Sequence, residues 1–124
     1  MRRILGAAAA FVLGGVPALA ATDVMAGFYG NTVVVTGDAF QAHVHYRANH
    51  TLDVSGTASG QAFSTTGSWK IDDKGQICRS FKKTPPATPN PLCSEATAHK
   101  VGDTWTATAP TGSSRNLALV AGIQ

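Results

Sequence analysis

Acidic side chains are scarce in this 124-residue chain, which has 7 aspartates and glutamates in all, and its only glutamate is Glu95. Asp72 and Asp73 fall in a predicted turn, where an aspartate side chain commonly bonds its own backbone. No serine occupies a Gly-x-Ser-x-Gly elbow, and no glycine-rich motif for cradling phosphate is present. The sequence therefore contains no recognisable catalytic constellation, and we expect a protein that is not an enzyme.

Long hydrophobic runs are also lacking, apart from one at the N-terminus. Two arginines follow Met1, the apolar run "ILGAAAAFVLGGV" comes next, and "PALA" places small residues at Ala18 and Ala20. These are the parts of a secretory signal peptide, and the run is too short to span a bilayer comfortably. We predict a signal peptide over residues 1–20, a single domain over residues 21–124 with no integral membrane segment, and a periplasmic or secreted location.

A large charge of either sign is missing once the signal peptide is removed. Loss of Arg2 and Arg3 lowers the count of basic residues from 10 to 8 against 7 acidic ones, so the formal charge falls from +3 to +1. Nucleic-acid binding needs a concentrated cationic surface. We therefore expect no nucleic-acid partner, and a small molecule or another protein remains open as the partner.

Only two cysteines are present, Cys78 and Cys93, and they enclose four of the six prolines. In an oxidising compartment a pair of thiols is normally joined. A redox pair usually has Cys-x-x-Cys spacing, and a closed zinc site needs four ligands where this segment offers two. We predict a Cys78–Cys93 disulfide that pins a proline-rich surface loop at its base.

No long 3.6-residue periodicity is present, and short alternations of apolar and polar residues bounded by Gly, Asn and Asp occur instead. Such alternation is typical of β-strands, and "ANHT" and "DDKG" are tight-turn sequences in which Gly75 suits a positive φ. The pattern predicts an all-β fold, a small antiparallel meander closed into a barrel, with a β-sandwich as the alternative. We predict about eight strands, at residues 31–37, 39–47, 51–57, 62–71, 76–81, 94–100, 104–109 and 116–122.

Several short motifs share an order with a known class of proteins. They are "FYGNT", "HYRANHT", "GSWKIDDKGQIC", a second cysteine and "VGDTW". Across residues 27–122 the chain resembles a class of small secreted proteins of Gram-negative bacteria, which implies a lipocalin-like antiparallel barrel and no particular chemistry. The departure from the pattern is at Asn49-His50, where a turn glycine is expected, and we expect His50 to adopt the left-handed conformation there.

The stretch "HVHYRANH" is the best candidate for a metal site. On a strand, His43, His45 and Arg47 share one face, and the opposite face carries Phe40, Ala42, Val44 and Tyr46. His43 and His45 can ligate one zinc or copper ion, with His50 or His99 as a third ligand. The alternative is that the apolar set faces the core and the histidines lie on the solvated face, which is common for such strands. Arg47 beside the pair disfavours a cation.

Aromatic and basic residues suggest a second kind of site. Trp69 and Trp105 lie in strands with alternating polarity, which is typical of core residues. If the barrel is open at one end, however, Trp69, Trp105 and Tyr46 near its mouth can bind an apolar or sugar ligand. Arg79, with Lys82 and Lys83, can attract an anion or simply keep a sheet edge solvated.

Two functional hypotheses follow. The first is a periplasmic or secreted non-enzymatic binding or interaction module without a cofactor. The second is a metal-binding or metal-dependent protein that uses His43 and His45 with zinc or copper.

Overall fold

The computed structural model of the protein describes residues 23–85, 88–109 and 112–124. The predicted signal peptide over residues 1–20 lies outside the described residues, as does Pro86 of the proline-rich loop. Among the helices of the described ranges, none has both the length and the apolar character needed to cross a membrane.

The described part of the chain forms one antiparallel sheet of eight strands, curled into a half-barrel. The strands are β1 (Thr32–Gly37), β2 (Phe40–Tyr46), β3 (Thr51–Ala58), β4 (Gln61–Ile71), β5 (Gln76–Phe81), β6 (Leu92–Glu95), β7 (Thr104–Thr108) and β8 (Ser114–Val120). The order across the sheet is β6-β5-β4-β3-β2-β1-β8-β7, so β1 to β6 pair consecutively as a meander, and β8 pairs with β1 and with β7. This confirms the predicted all-β antiparallel fold.

The largest difference from the predicted strands is at β6, which we expected over residues 94–100. Gln76, the first residue of β5, pairs with Glu95, and beyond that pair the Ala96 amide makes one more bond, to the Gly75 carbonyl at 3.1 Å in the β4–β5 turn. The chain opposite β6 then turns back into β4, so the strand ends there. Residues 96–103 instead connect β6 to β7, and the two edge strands do not pair with each other within the described residues.

Side chains alternate between the two faces of the sheet as the sequence pattern predicts. On β2, Ala42 and Tyr46 are 1% and 7% exposed and belong to the core, whereas His43 and His45 lie on the outer face. Because the sheet curls toward its apolar face, the core lies inside the half-barrel. Its buried members are Met25, Phe28, Val33, Ala42, Tyr46, Leu52, Val54, Trp69, Ile77, Phe81 and Leu119.

The two ends of the half-barrel differ. A 3₁₀ helix, Ala26–Phe28, covers one end, which we call the helix end, and its Phe28 is only 6% exposed. The Phe28 ring makes edge contacts with Tyr46, His99 and Trp105 at centroid distances of 5.6, 6.0 and 6.3 Å. The β1–β2, β3–β4 and β7–β8 turns and the loop from β5 to β6 lie at the opposite end, the hairpin end.

The predicted disulfide is confirmed. Cys78 on β5 and Cys93 on β6 are directly paired across the ladder, with their Cα atoms 4.0 Å apart, and the bond lies on the outer face. The side chain of Asn90 also holds the base of the loop, since it accepts a hydrogen bond from the Phe81 amide at 3.1 Å and donates one to the Phe81 carbonyl at 3.1 Å. These contacts hold edge strand β6 against β5.

Two turn predictions are confirmed as well. His50 has φ of 69°, in the left-handed region that it was expected to adopt in the turn between β2 and β3. Gly75 has φ of 80° in the turn between β4 and β5, where a Cβ would be strained. Both tight turns lie at the helix end of the half-barrel.

Candidate functional site

A cavity of about 460 Å³ lies inside the half-barrel. Met25 and Phe28 of the helix end contribute to its lining, and both edge strands contribute to its wall. Most of the wall is apolar because it is formed by the inward residues of the alternating strands. Apolar wall residues include Val35, Phe40, Val44, Phe63, Phe81 and Leu117.

Three of the four residues predicted to bind a ligand line this cavity: Tyr46, Arg79 and Trp105. Trp69 does not line it. Its side chain is 4% exposed, its Nε1 donates to the Arg47 carbonyl at 3.0 Å, and its ring stacks on His50 at 4.1 Å. Trp69 therefore packs as a core residue at the helix end.

Arg79 spans the interior of the half-barrel. Its Nε donates to the Tyr46 hydroxyl at 2.7 Å, and its Nη1 donates to the Leu92 carbonyl at 3.3 Å and the Ser94 hydroxyl at 3.2 Å. Tyr46 lies on β2, which is separated from β5 by two strands, so the side chain links distant parts of the sheet. These three acceptors fix the guanidinium as part of the wall.

Arg115 also lines the cavity, although we did not predict it as a ligand-binding residue from the sequence. It lies on the inner face of β8, and its Cζ is 3.7 Å from the centre of the Phe40 ring. A Cβ on the paired Gly37 would lie 2.7 Å from Arg115 Cδ, so the absence of a side chain at Gly37 leaves room for the arginine stem. In "RNLAL" the two-residue period of a strand places Arg115 on the same face as Leu117 and Leu119. This pattern predicts that Arg115 faces the interior.

The histidine pair lies on the outer face, but it is less solvated than a bare sheet surface. The side chain of His45 is 11% exposed, and its Nδ1 is 2.7 Å from Asp53 Oδ1. The C-terminal residues fold across this face: Thr32 Oγ1 donates to the Gly122 carbonyl at 2.8 Å, and the Gln124 amide donates to Thr32 Oγ1 at 2.9 Å. This tail therefore covers part of the surface beside the histidines.

The other two histidines lie away from that pair. His50 Nδ1 is 3.1 Å from the Trp69 carbonyl, and His99 stacks on Trp105 at 3.6 Å on the cavity side. Within residues 23–85, 88–109 and 112–124, no three or more His, Cys, Asp or Glu side chains are grouped so as to hold a metal ion. The metal hypothesis for His43, His45 and His50 gains no support from this arrangement and stays a prediction.

The Asp53 carboxylate holds the outer cluster together and predicts a pH effect. Burial raises its pKa, but hydrogen bonds from His45 and Arg47 outweigh burial, so the pKa of Asp53 is below its ordinary value. A carboxyl whose pKa is lowered by folding adds stability above its unfolded pKa, and this contribution is lost as pH falls through the folded value.

We expect Asp53→Asn to lower the free energy of unfolding by about 1 kcal/mol at neutral pH, because charge-assisted hydrogen bonds to His45 and Arg47 are weakened. The difference should shrink as pH falls below 3.8, the ordinary value for aspartate. Urea unfolding at a series of pH values measures it, with Asp38→Asn in the exposed β1–β2 turn as the control. A constant difference between parent and Asp53→Asn at all pH values would contradict the assignment.

No protein-family model, curated protein or solved structure matches the chain. The resemblance noted from the sequence motifs therefore stays a prediction.

Proposed function

We propose that this protein is an exported, non-enzymatic binding domain that holds a small, largely apolar molecule inside the half-barrel. The observation that carries the proposal is the cavity of about 460 Å³, whose wall is largely apolar. Ligand pockets in proteins commonly have volumes of about 300 to 1,000 Å³ and this kind of lining.

The open side of the half-barrel supplies a route into the cavity. Edge strands β6 and β7 are not hydrogen-bonded to each other in the described part of the chain, and residues of both line the cavity, among them Ser94 and Trp105. A molecule can therefore reach the interior between these edges without breaking a ladder. The helix end is covered by Met25 and Phe28, which are 2% and 6% exposed.

The sequence and the disulfide support export. The predicted signal peptide over residues 1–20 directs a chain across the membrane. A joined Cys78–Cys93 pair is the state expected in an oxidising compartment such as the periplasm or the exterior. Both features are consistent with a binding protein that acts outside the cytoplasm.

Filling the cavity should abolish binding while the fold remains. Val44 is on the inner face of β2 and lines the cavity, so Val44→Phe places a ring in the space that the ligand needs. We expect the parent to bind one molecule of the neutral fluorophore N-phenylnaphthylamine, and we expect Val44→Phe to weaken that binding about tenfold or more, since about 1.4 kcal/mol corresponds to a factor of ten. Fluorescence titration measures the affinity.

The matched control is Thr57→Phe, which adds the same ring on the exposed outer face of β3. This variant should bind the fluorophore as the parent does, and thermal unfolding should show that both variants fold. Equal binding by the parent and a folded Val44→Phe would place the fluorophore elsewhere and contradict the proposal. Native mass spectrometry of protein from its own periplasm should also show the added mass of a retained ligand.

A further inference from the structure

The charges inside the cavity are unevenly placed. Its wall contains two arginines, Arg79 and Arg115. Glu95 also borders the cavity, but on β6 it lies in phase with Cys93, whose disulfide is on the outer face. Glu95 pairs with Gln76 at the start of β5, so it lies toward the helix end. Arg115 pairs with Gly37 beside the β1–β2 turn, so it lies at the hairpin end. Positive charge therefore dominates the hairpin end of the cavity.

Among the described residues, Arg115 has no counter-ion. Across residues 23–85, 88–109 and 112–124, no carboxylate lies within ion-pair distance of its guanidinium, although Asp38 is in the adjacent β1–β2 turn. Asp38 is exposed and is not part of the cavity wall. The described chain also supplies no hydrogen-bond acceptor for the Arg115 side chain, whereas Arg79 has three.

The Arg115 guanidinium is partly removed from solvent. The side chain is half-buried, and burial lowers the pKa of the Arg115 guanidinium because the charged form loses solvation. The Phe40 ring covers one face of the guanidinium at 3.7 Å, which leaves the N–H donors along the edge of the planar group. A partly desolvated arginine whose N–H donors meet no acceptor among the described residues is suited to a planar oxyanion, which it binds through two parallel hydrogen bonds.

We propose that the ligand of the half-barrel is an amphipathic carboxylate, whose apolar chain fills the cavity and whose carboxylate pairs with Arg115 at the hairpin end. This inference rests on the proposed function, since it names the chemical class of the molecule bound there. Gly37 is part of the same arrangement, because its missing side chain lets the Arg115 stem cross β1 and reach Phe40.

Three probes with the same alkyl chain and different head groups test the proposal: decanoate, decanol and decylamine. At neutral pH decanoate is an anion and decylamine a cation, whereas decanol is neutral. By isothermal titration calorimetry, the parent should bind decanoate about tenfold or more tighter than decanol, as expected for charge-assisted hydrogen bonds. Decylamine should bind most weakly, because it meets two arginines.

The Arg115→Gln variant separates the head group from the chain. Decanoate should lose its advantage and bind about as tightly as decanol, while decanol binding stays close to that of the parent. The matched control is Lys82→Gln, which removes one positive charge from an exposed residue at the same end that does not line the cavity. This control should keep the preference for decanoate.

The outcomes distinguish the inference from the proposed function. If the parent binds decanoate and decanol equally, or if Arg115→Gln keeps the preference, the Arg115 inference is wrong while an apolar binding domain still stands. If the parent binds none of the three probes and no neutral fluorophore, both proposals fail. Loss of the preference in Lys82→Gln would show a general charge effect and would also overturn the role of Arg115.

Discussion

Replacing Trp69 with alanine should lower the free energy of unfolding by about 3 to 5 kcal/mol, the range for removing a large buried aromatic side chain. Trp69 is 4% exposed and packs against three rings: His50 at 4.1 Å, Tyr29 at 6.2 Å and Tyr46 at 6.4 Å. It therefore joins the strand core to the segment before β1 and to the β2–β3 turn. Urea unfolding monitored by circular dichroism measures the change.

The Trp69→Phe variant separates packing from hydrogen bonding. It keeps an aromatic ring in the core but removes the 3.0 Å hydrogen bond from Nε1 to the Arg47 carbonyl, which still accepts one from the His50 amide at 3.0 Å. We therefore expect a loss of about 1 kcal/mol, the usual net contribution of one hydrogen bond. Ligand binding should change little in this variant, because Trp69 does not line the cavity. A Trp69→Ala protein as stable as the parent would show that the helix end is not packed as described.

Removal of the Cys78–Cys93 disulfide should lower the free energy of unfolding by about 3 kcal/mol, because the bond closes a loop whose ends are 15 residues apart. The double variant Cys78→Ala with Cys93→Ala avoids a leftover thiol. Within the described part of the sheet β6 pairs only with β5, and the disulfide, the Asn90 contacts and the Arg79 bonds to Leu92 and Ser94 reinforce this short ladder. Urea unfolding of the oxidised parent and the double variant measures the difference.

Reduction supplies the control for the disulfide. Reduced parent should unfold at nearly the same urea concentration as the double variant, and a reductant should leave the double variant unaffected. Free-thiol labelling of denatured, unreduced parent should find no thiol. Equal unfolding of the oxidised and reduced parent would contradict the predicted contribution of the bond.

The residues of the cavity wall were only partly predicted from the sequence, and β5 and β8 show why. From the sequence we grouped Arg79 with Lys82 and Lys83 as basic residues that attract an anion or keep a sheet edge solvated, whereas in the structure its side chain points into the interior. Its position between Ile77 and Phe81 indicates the inner face, just as Leu117 and Leu119 do for Arg115. Alternation predicts the face of an arginine, but the cavity that it faces exists only once the sheet has curled.

Alternation and local turn chemistry were enough, from the sequence by itself, to determine the β-fold, the inward and outward faces of β2, the left-handed turn residue His50 and the pairing of the two cysteines. These features depend on neighbours along the chain, on a two-residue period or on elimination among very few cysteines. The tertiary structure alone decided where β6 ends, that Arg115 stacks on Phe40, and that the C-terminal tail covers part of the outer face beside His43. Each of these depends on contacts between distant segments, such as Thr32 with Gly122, 90 residues apart, which no local pattern encodes.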